Sequence, residues 1–237
     1  MGQMNQTYYW AKKANNYLSD YPQIKNVLRK IFVKWQSSNN STNIKGANNK
    51  INISDSIVKN ANFDICGENN TITIDSETIA ENLTFHVRGS NHQIHIGKNC
   101  RFTRGGTIWI EDEECNLFIG DNNYIVKADI TIVESNSSIE IGSDCMFAND
   151  IDIRNSDSHS IINLDNGMRI NPAKDIKIED HVWIGAYSKI LKGVTICKDS
   201  VVGIGSVVTK NVPNNTVVAG IPAKVVKENT TWDSQRI

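Results

Sequence analysis

The 237-residue sequence has little net charge, no long apolar run and no paired cysteine spacing. Its 25 basic and 26 acidic residues leave a formal charge of −1, so no overall basic field directs it to nucleic acid or to an acidic membrane surface. The apolar stretches are too short to span a membrane, and residues 1–13 lack the apolar segment of a secretion signal. Five cysteines without C-x-x-C spacing indicate reduced thiols. We therefore expect a cytoplasmic protein with no transmembrane segment and no nucleic-acid partner.

A six-residue repeat of aliphatic residues dominates the C-terminal third of the chain. An α-helix requires apolar spacings of three and four and a two-sided strand requires two, so a period of six fits neither. It fits short strands laid around a prism, each turning one aliphatic residue inward and placing a small residue near the corner. The residues at this interval are Ile178, Ile184, Ile190, Ile196, Val202 and Val208.

A weaker form of the same repeat extends upstream. Short strand-like segments recur at intervals of 21 to 23 residues, which corresponds to three hexads plus a few residues looped out at corners. Asparagine and aspartate are frequent between these segments and suit tight turns. We expect their inward residues to be buried between successive turns of the prism, and these are Ile53, Ile74, Ile96, Ile119 and Ile141.

An amphipathic segment precedes the repeats. Asp20 is a candidate N-cap, Pro22 suits the first turn, and apolar residues follow at helical spacing in "IKNVLRKIF". We expect a helix that covers the end of the prism or joins a neighbouring subunit, with contact to a membrane surface as the alternative. The expected organisation is an N-terminal helical segment over 1–40, a β-helix over 41–227 and a tail over 228–237.

A polar stretch interrupts the repeats. Counting in sixes from Ile141 leads through Phe147 and Ile153 to His159, and the pattern resumes at Ile178. The sequence therefore predicts a loop over 157–173 that leaves the wall of the prism and carries a histidine. Solenoid proteins place functional residues on such insertions.

The hexads and the run "VWIGAYSKILKGVTICKDSVVGIGSVVTKNVPNNTVVAGIPAKVV" resemble the hexapeptide-repeat acyltransferases. The nearest branch holds galactoside, maltose and capsular-polysaccharide O-acetyltransferases, the last including enzymes of the polysialic acid type. The resemblance is strongest over 117–227. It implies an all-β, left-handed parallel β-helix with an N-terminal α-helix and an extruded catalytic loop. It also implies a homotrimer that binds acetyl-CoA between subunits and transfers the acetyl group to a carbohydrate hydroxyl, without a metal.

The resemblance assigns the catalytic positions. His159 matches the general base and Trp183, 24 residues later, the aromatic wall of the site. An imidazole suits proton removal from a hydroxyl at neutral pH, so direct transfer from the thioester needs no covalent acyl-enzyme. Asp157 is a candidate for orienting the imidazole. Asp129 matches a position that meets the acceptor, where better-known sugar enzymes carry asparagine.

The resemblance also assigns a surface for acetyl-CoA. Gly185 and Ala186 lie where a backbone amide would stabilise the developing oxyanion, although some relatives carry serine in place of Ala186. The remaining positions line the pantetheine channel or approach the nucleotide and its phosphates, where lysine acts as a point charge. They are Gly203, Ile204, Gly205, Thr209, Lys210, Lys224 and Lys227.

The sequence leaves other functions open. The acceptor group is an amino-sugar nitrogen in one alternative. A zinc hydratase of the same fold would need three histidines on neighbouring turns, and His86, His92, His95, His159 and His181 do not have that spacing. A β-helix without catalytic function would explain the repeats but not the histidine loop or the Trp183 spacing.

Overall fold

The computed structural model describes residues 37–236 and, ahead of them, Gln23 alone. The helix predicted near Asp20 lies outside the described residues. Strands β1 to β24, numbered along the chain, form three sheets of eight, seven and nine strands. The chain passes through one strand of sheet A, one of sheet B and one of sheet C, and then begins the next coil above the first. Every strand pair is parallel except the last, β23 with β24.

Sheet A contains β1 (Ser41–Lys45), β4 (Asn62–Cys66), β7 (Leu83–Arg88), β10 (Gly106–Ile110), β13 (Ala128–Ile132), β16 (Ile151–Arg154), β19 (Lys189–Leu191) and β22 (Val207–Val208). Sheet B contains β2 (Lys50–Ile53), β5 (Thr71–Ile74), β8 (Gln93–Ile96), β11 (Asn116–Ile119), β14 (Ser138–Ile141), β17 (Ile176–Ile178) and β20 (Thr195–Ile196). Sheet C contains β3 (Ile57–Lys59), β6 (Ile79–Glu81), β9 (Arg101–Phe102), β12 (Tyr124–Ile125), β15 (Met146–Phe147), β18 (Trp183–Ile184), β21 (Val201–Val202), β23 (Thr216–Ala219) and β24 (Lys224–Glu228).

The aliphatic repeat forms the interior of the prism. Ile119 lies above Ile96 and below Ile141, and Ile178 lies above Ile141 across the long insertion. All these side chains are fully buried or nearly so. Each buried isoleucine or valine stabilises the stack by roughly 1.5–3 kcal/mol. The predicted all-β parallel β-helix with an extruded loop is confirmed.

The first described coil departs from the predicted burial. Ile53 has the inward register of Ile74 but is 43% exposed, and Ile44 of the same coil is 41% exposed. The reason is positional, since the described chain places a neighbouring coil on one side only of these residues. Inward register is therefore not sufficient for burial at the first coil.

Asparagines form the corners, as the sequence predicts. Asn48, Asn69 and Asn91 all have positive φ and stand in one column, where each side-chain amide of the first two donates to the next asparagine at 3.1 and 3.3 Å. Asparagine tolerates this left-handed backbone better than other residues with a side chain. The corners therefore repeat in register from coil to coil.

Within the described residues, no helix is long and apolar enough to cross a membrane.

Candidate active site

The insertion between β16 and β17 leaves the prism at the corner between sheets A and B. It spans residues 155–175, and its neck is closed by the Lys174 amide, which donates to the Asn155 carbonyl at 3.0 Å. An isolated bridge joins Ile162 and Arg169 further out. The loop therefore begins two residues earlier and ends two residues later than the predicted 157–173.

His159 lies exposed on the first arm of this loop. Its backbone amide donates to the Asp157 carbonyl at 2.7 Å, and its own carbonyl accepts from the Asn171 side chain at 2.8 Å. The hydrogen bonds at His159 within the described chain thus use its main chain. The backbone is held on both sides, and the imidazole is left available to a substrate.

Asp157 contacts His159 through its carbonyl rather than its carboxylate. The carboxylate accepts hydrogen bonds from Lys192 at 2.6 Å and from Asn171 at 2.8 Å. These two bonds, with Lys192 the larger effect, lower the pKa of Asp157 below its ordinary value. The contacts of the Asp157 carboxylate therefore help to hold the loop. Its role in orienting the imidazole stays a prediction.

Glu134 anchors the loop from the preceding coil. Its carboxylate accepts two hydrogen bonds from the Arg169 guanidinium, at 2.6 and 2.8 Å, and one from the Ala173 amide at 3.1 Å. It also accepts from the Ser156 hydroxyl. The bonds from Arg169, and then those from Ser156 and Ala173, hold the pKa of Glu134 at about 2 against the desolvation that opposes them. The carboxylate is therefore ionised at neutral pH.

Trp183 lies on another side of the prism. It stands on the outer surface of sheet C, in register with Met146 and Val201, and is 38% exposed. Its ring centroid is 6.2 Å from that of Trp232, whose indole nitrogen donates to the His181 carbonyl at 2.8 Å. Since sheet C lies opposite the corner between sheets A and B, one chain does not bring Trp183 and His159 to the same wall.

Five of the nine predicted acetyl-CoA residues share the corner between sheets C and A. A Cβ added to Gly185 would lie 2.6 Å from the Ile204 nitrogen. The two coils approach each other so closely here that only glycine fits at this position. The Gly205 amide donates to the Ala186 carbonyl at 2.8 Å, and Gly203 stands beside them in the next coil. Gly185 is buried and Ala186, Gly203 and Gly205 are half-buried, so the five residues form one column in which only Ile204 is exposed.

Two of the predicted lysines line one cleft. Lys210, which follows β22, and Lys224, which begins β24, border a cavity of about 250 Å³. Thr209 is exposed next to Lys210. Lys227 is also exposed and pairs with Val217 further along the hairpin. The basic end of the predicted surface is thus assembled from residues that are distant in sequence.

Asp129 lies in a polar cleft of about 380 Å³ on the outer surface of sheet A. Its carboxylate accepts a hydrogen bond from the Thr107 amide at 2.8 Å. Asp152, one coil further on, bonds Arg154 at 3.0 Å and Lys189 at 3.3 Å, and these three residues border the same cleft. Because β16 continues directly into the loop, this cleft lies next to the first arm of the insertion.

Three of the five cysteines, Cys100, Cys115 and Cys145, are buried in the prism and are not accessible for nucleophilic chemistry. Burial raises the pKa of Cys100 to about 11 and that of Cys145 to about 12, so both thiols are protonated at neutral pH. Burial also raises the pKa of Cys115. These residues pack as small apolar groups in the coil interior.

The early histidines have structural contacts. The buried His92 accepts from the Cys115 amide through Nδ1 at 3.1 Å and lies 2.9 Å from the Arg88 carbonyl through Nε2. His95 stacks on Phe118 and His86 on Trp109. Among the described residues, no group of three or more histidine, cysteine, aspartate or glutamate side chains is arranged to hold a metal.

Sequence reasoning missed the residues that support the loop. Glu134, Arg169, Asn171 and Lys192 belong to no motif, and their bonds join positions up to 39 residues apart. One signal was available. Glu134 lies 22 residues before Ser156, which is the interval between neighbouring coils, so the repeat alone places these two residues at the same corner.

The family model for bacterial transferase hexapeptides (six repeats) matches residues 175–210. The polysialic acid O-acetyltransferase of Neisseria meningitidis is 38% identical over 187 residues, which cover 70% of this chain and 86% of that protein. The solved polysialic acid O-acetyltransferase OatWY is 36% identical with a TM-score of 0.78, over 84% of this chain and 92% of the other. The polySia specific acetyltransferase NeuO is 32% identical with a TM-score of 0.74, over 83% and 90%.

The β-helix and these relatives together define an enzyme of the acyltransferase class. The chain belongs to the hexapeptide-repeat acyltransferases, in the branch that contains the polysialic acid O-acetyltransferases. The resemblance read from the hexads is confirmed.

Proposed function

We propose that this chain transfers an acetyl group from acetyl-CoA to a hydroxyl of a bacterial surface or capsular polysaccharide that contains sialic acid. The observation that carries this proposal is the 38% identity to the polysialic acid O-acetyltransferase of Neisseria meningitidis across 86% of that protein. The histidine loop supports it, because hydroxyl acylation needs a base at the attacking oxygen. We place the enzyme in the cytoplasm, where its five free thiols are stable.

In this mechanism His159 acts as the general base. Its neutral imidazole takes the proton of the acceptor hydroxyl while the hydroxyl oxygen forms its bond to the acetyl carbon. The carbon–sulfur bond breaks, and His159 then gives the proton to the departing thiolate. Imidazole suits both steps because its ordinary pKa lies near neutral pH. Its exposed position on a loop held through the main chain supports this role.

The corner between sheets C and A would hold the acetyl-CoA. The column of Gly185, Ala186, Gly203, Ile204 and Gly205 would present only two side chains, those of Ala186 and Ile204, to the pantetheine arm. Lys210 and Lys224 border one cleft and would attract phosphates, with Thr209 and Lys227 nearby. A thioester bound there would present its acetyl group for transfer.

The polar cleft on sheet A would hold the acceptor. Asp129 and Asp152 can accept hydrogen bonds from sugar hydroxyls, and Arg154 and Lys189 supply positive charge for a carboxylate such as that of a sialic acid. Asp152 already bonds both cations. Asp150 also borders this cleft, so its lining carries three carboxylates and two cations, and its charge does not by itself select an acidic sugar over an amino sugar.

A homotrimer would complete the site. Within one chain His159 stands at the corner between sheets A and B, while Trp183 and the acetyl-CoA corner border sheet C. A second copy that packs against the first brings the sheet C surface of one subunit to the histidine loop of its neighbour. We propose that each active site lies between two subunits.

The test is acetyl-CoA turnover, followed by thiol release, against sialic acid polymers, neutral polysaccharides, oligosaccharides and amino sugars. We expect release that depends on a sialic acid polymer and falls by about 10²–10⁴ in His159→Ala. The matched control is Ser160→Ala, which changes the adjacent exposed loop residue. Acceptor-dependent release that survives in His159→Ala would overturn the base assignment. Equal release with all acceptors would overturn the substrate class. Treating the product with hydroxylamine distinguishes the two kinds of acceptor group, because hydroxylamine removes an acetyl group from an ester and not from an amide.

A further inference from the structure

The histidine loop has little regular structure to hold its shape. Between its neck and its tip it contains a single isolated bridge, and its exposed tip includes Leu164, which is 97% exposed, and Met168. The loop packs few apolar side chains into the prism. Its conformation therefore depends on polar contacts to the coils beneath it.

One carboxylate joins both arms of this loop. Glu134 accepts from Ser156 on the outgoing arm and from Arg169 and Ala173 on the returning arm. The Arg169 contact uses two nitrogens on two oxygens, the geometry in which guanidinium and carboxylate bind most specifically. Glu134 comes from the coil below, so it ties the loop to the rigid part of the fold.

A second set of bonds connects this anchor to His159. The Arg169 guanidinium donates to the Asn171 carbonyl at 3.2 Å, and the buried Asn171 side chain donates to the His159 carbonyl at 2.8 Å. Lys192 completes the set by donating to the Asn171 carbonyl at 2.9 Å and to the Asp157 carboxylate. The chain of contacts runs unbroken from Glu134 through Arg169 and Asn171 to His159.

We propose that Glu134, Arg169 and Asn171 are positioning residues that set the location of the His159 imidazole through its main chain. This inference rests on the proposed function, in which His159 is the base. None of the three touches the imidazole, so they act only by fixing where it stands. A displacement of about 1 Å at a catalytic group lowers rates by about 10²-fold, so loss of the anchor is expected to reduce turnover without removing the base.

The experiment compares Arg169→Gln, Arg169→Lys and Glu134→Gln with the wild-type enzyme. We expect kcat to fall by about 10- to 100-fold in Arg169→Gln, with an unchanged KM for acetyl-CoA because Arg169 is bonded to Glu134 and Asn171 and to none of the residues proposed to bind acetyl-CoA. Arg169→Lys keeps the charge but loses the two-nitrogen contact, and we expect partial recovery. The matched control is Arg88→Gln, which removes an arginine–aspartate pair between two coils remote from the loop.

Amide hydrogen exchange over residues 155–175 supplies a readout that does not depend on catalysis. We expect faster exchange in this segment alone in Arg169→Gln and Glu134→Gln, with an unchanged thermal midpoint for the β-helix. Unchanged exchange, or unchanged kcat in variants that do exchange faster, would overturn the proposal. The His159→Ala variant tests the proposed base separately. If it is fully active, the base assignment fails and the positioning role fails with it.

Discussion

Arg169 and Glu134 are 35 residues apart in the sequence and meet through two hydrogen bonds of 2.6 and 2.8 Å. The pair fastens the histidine loop to the coil that precedes it. Such an anchor would give the proposed base a defined position although its loop extends away from the prism. The β-helix supplies the anchor because its coils repeat in register, so that a residue one coil away lies beneath the neck of the loop.

Acid should release this anchor. The contacts to Arg169, Ser156 and Ala173 hold the pKa of Glu134 at about 2, against an ordinary value of 4.5. A lowered folded-state pKa stabilises the native state fully above the ordinary value, and this contribution is lost as the pH falls from 4.5 towards 2. We therefore expect hydrogen exchange of residues 155–175 to be steady from about pH 7 to 5 and to rise, after correction for intrinsic rates, between about pH 4 and 2.

The control for the acid effect is Glu134→Gln, in which the rise should be smaller; what remains comes from Asp157, whose pKa is also lowered, chiefly by its hydrogen bond from Lys192 and then by that from Asn171. Asp112 also faces this residue, since its carboxylate accepts from the Glu134 amide at 3.0 Å. The variant Asp112→Asn should therefore retain the acid-dependent rise. A rise of equal size in Glu134→Gln would show that another carboxylate controls the loop.

The lysine cleft should affect acetyl-CoA affinity and not chemistry. Lys210→Ala and Lys224→Ala each remove one positive charge from the same cleft. An exposed charge contact contributes roughly 1 kcal/mol, which corresponds to about a fivefold rise in the KM for acetyl-CoA. The effect should shrink at high salt because exposed charges are screened. Steady-state kinetics at two ionic strengths measure the KM for acetyl-CoA. The control is Lys45→Ala, which removes an exposed lysine from the first coil. Identical KM values in all variants would remove both lysines from the site.

Gly185 should tolerate no side chain. A Cβ at this position would stand 2.6 Å from the Ile204 nitrogen, whereas a Cβ at Gly203 would meet the Ala219 side chain at 3.1 Å. We expect Gly185→Ala to lower the free energy of unfolding by about 1–3 kcal/mol and Gly203→Ala to have a smaller effect. Urea unfolding of the two variants tests the order. Equal losses would mean that the corner can shift to admit a methyl group.

The coil interior should reject charge at inward positions only. Ile178 is buried on β17, and its neighbour Lys177 points outward from the same strand. Ile178→Asp places an unpaired carboxylate among aliphatic side chains, which costs about 5 kcal/mol. We expect this variant to be unfolded or aggregated by circular dichroism and gel filtration, while Lys177→Asp remains folded. A folded Ile178→Asp protein would contradict the inward register of Ile178.

The hexad repeat made most of the β-helix predictable. Inward isoleucines at six-residue spacing led to the strands, and the break after Ile153 located the loop to within two residues at each end. The exposure of Ile53 was not predictable from the repeat, because every hexad has the same local pattern whether or not a coil lies on both sides of it.

The sequence by itself determined the coil register, the position of the histidine loop and the family, because these depend on local patterns that repeat along the chain. The tertiary structure alone decided which side chains meet around the loop. It paired Glu134 with Arg169, committed the Asp157 carboxylate to Lys192 and Asn171, and separated Trp183 from His159 on different sides of the prism. The physical reason is that each contact joins residues from different coils, and the length and path of the inserted loop control which of them come within bonding distance.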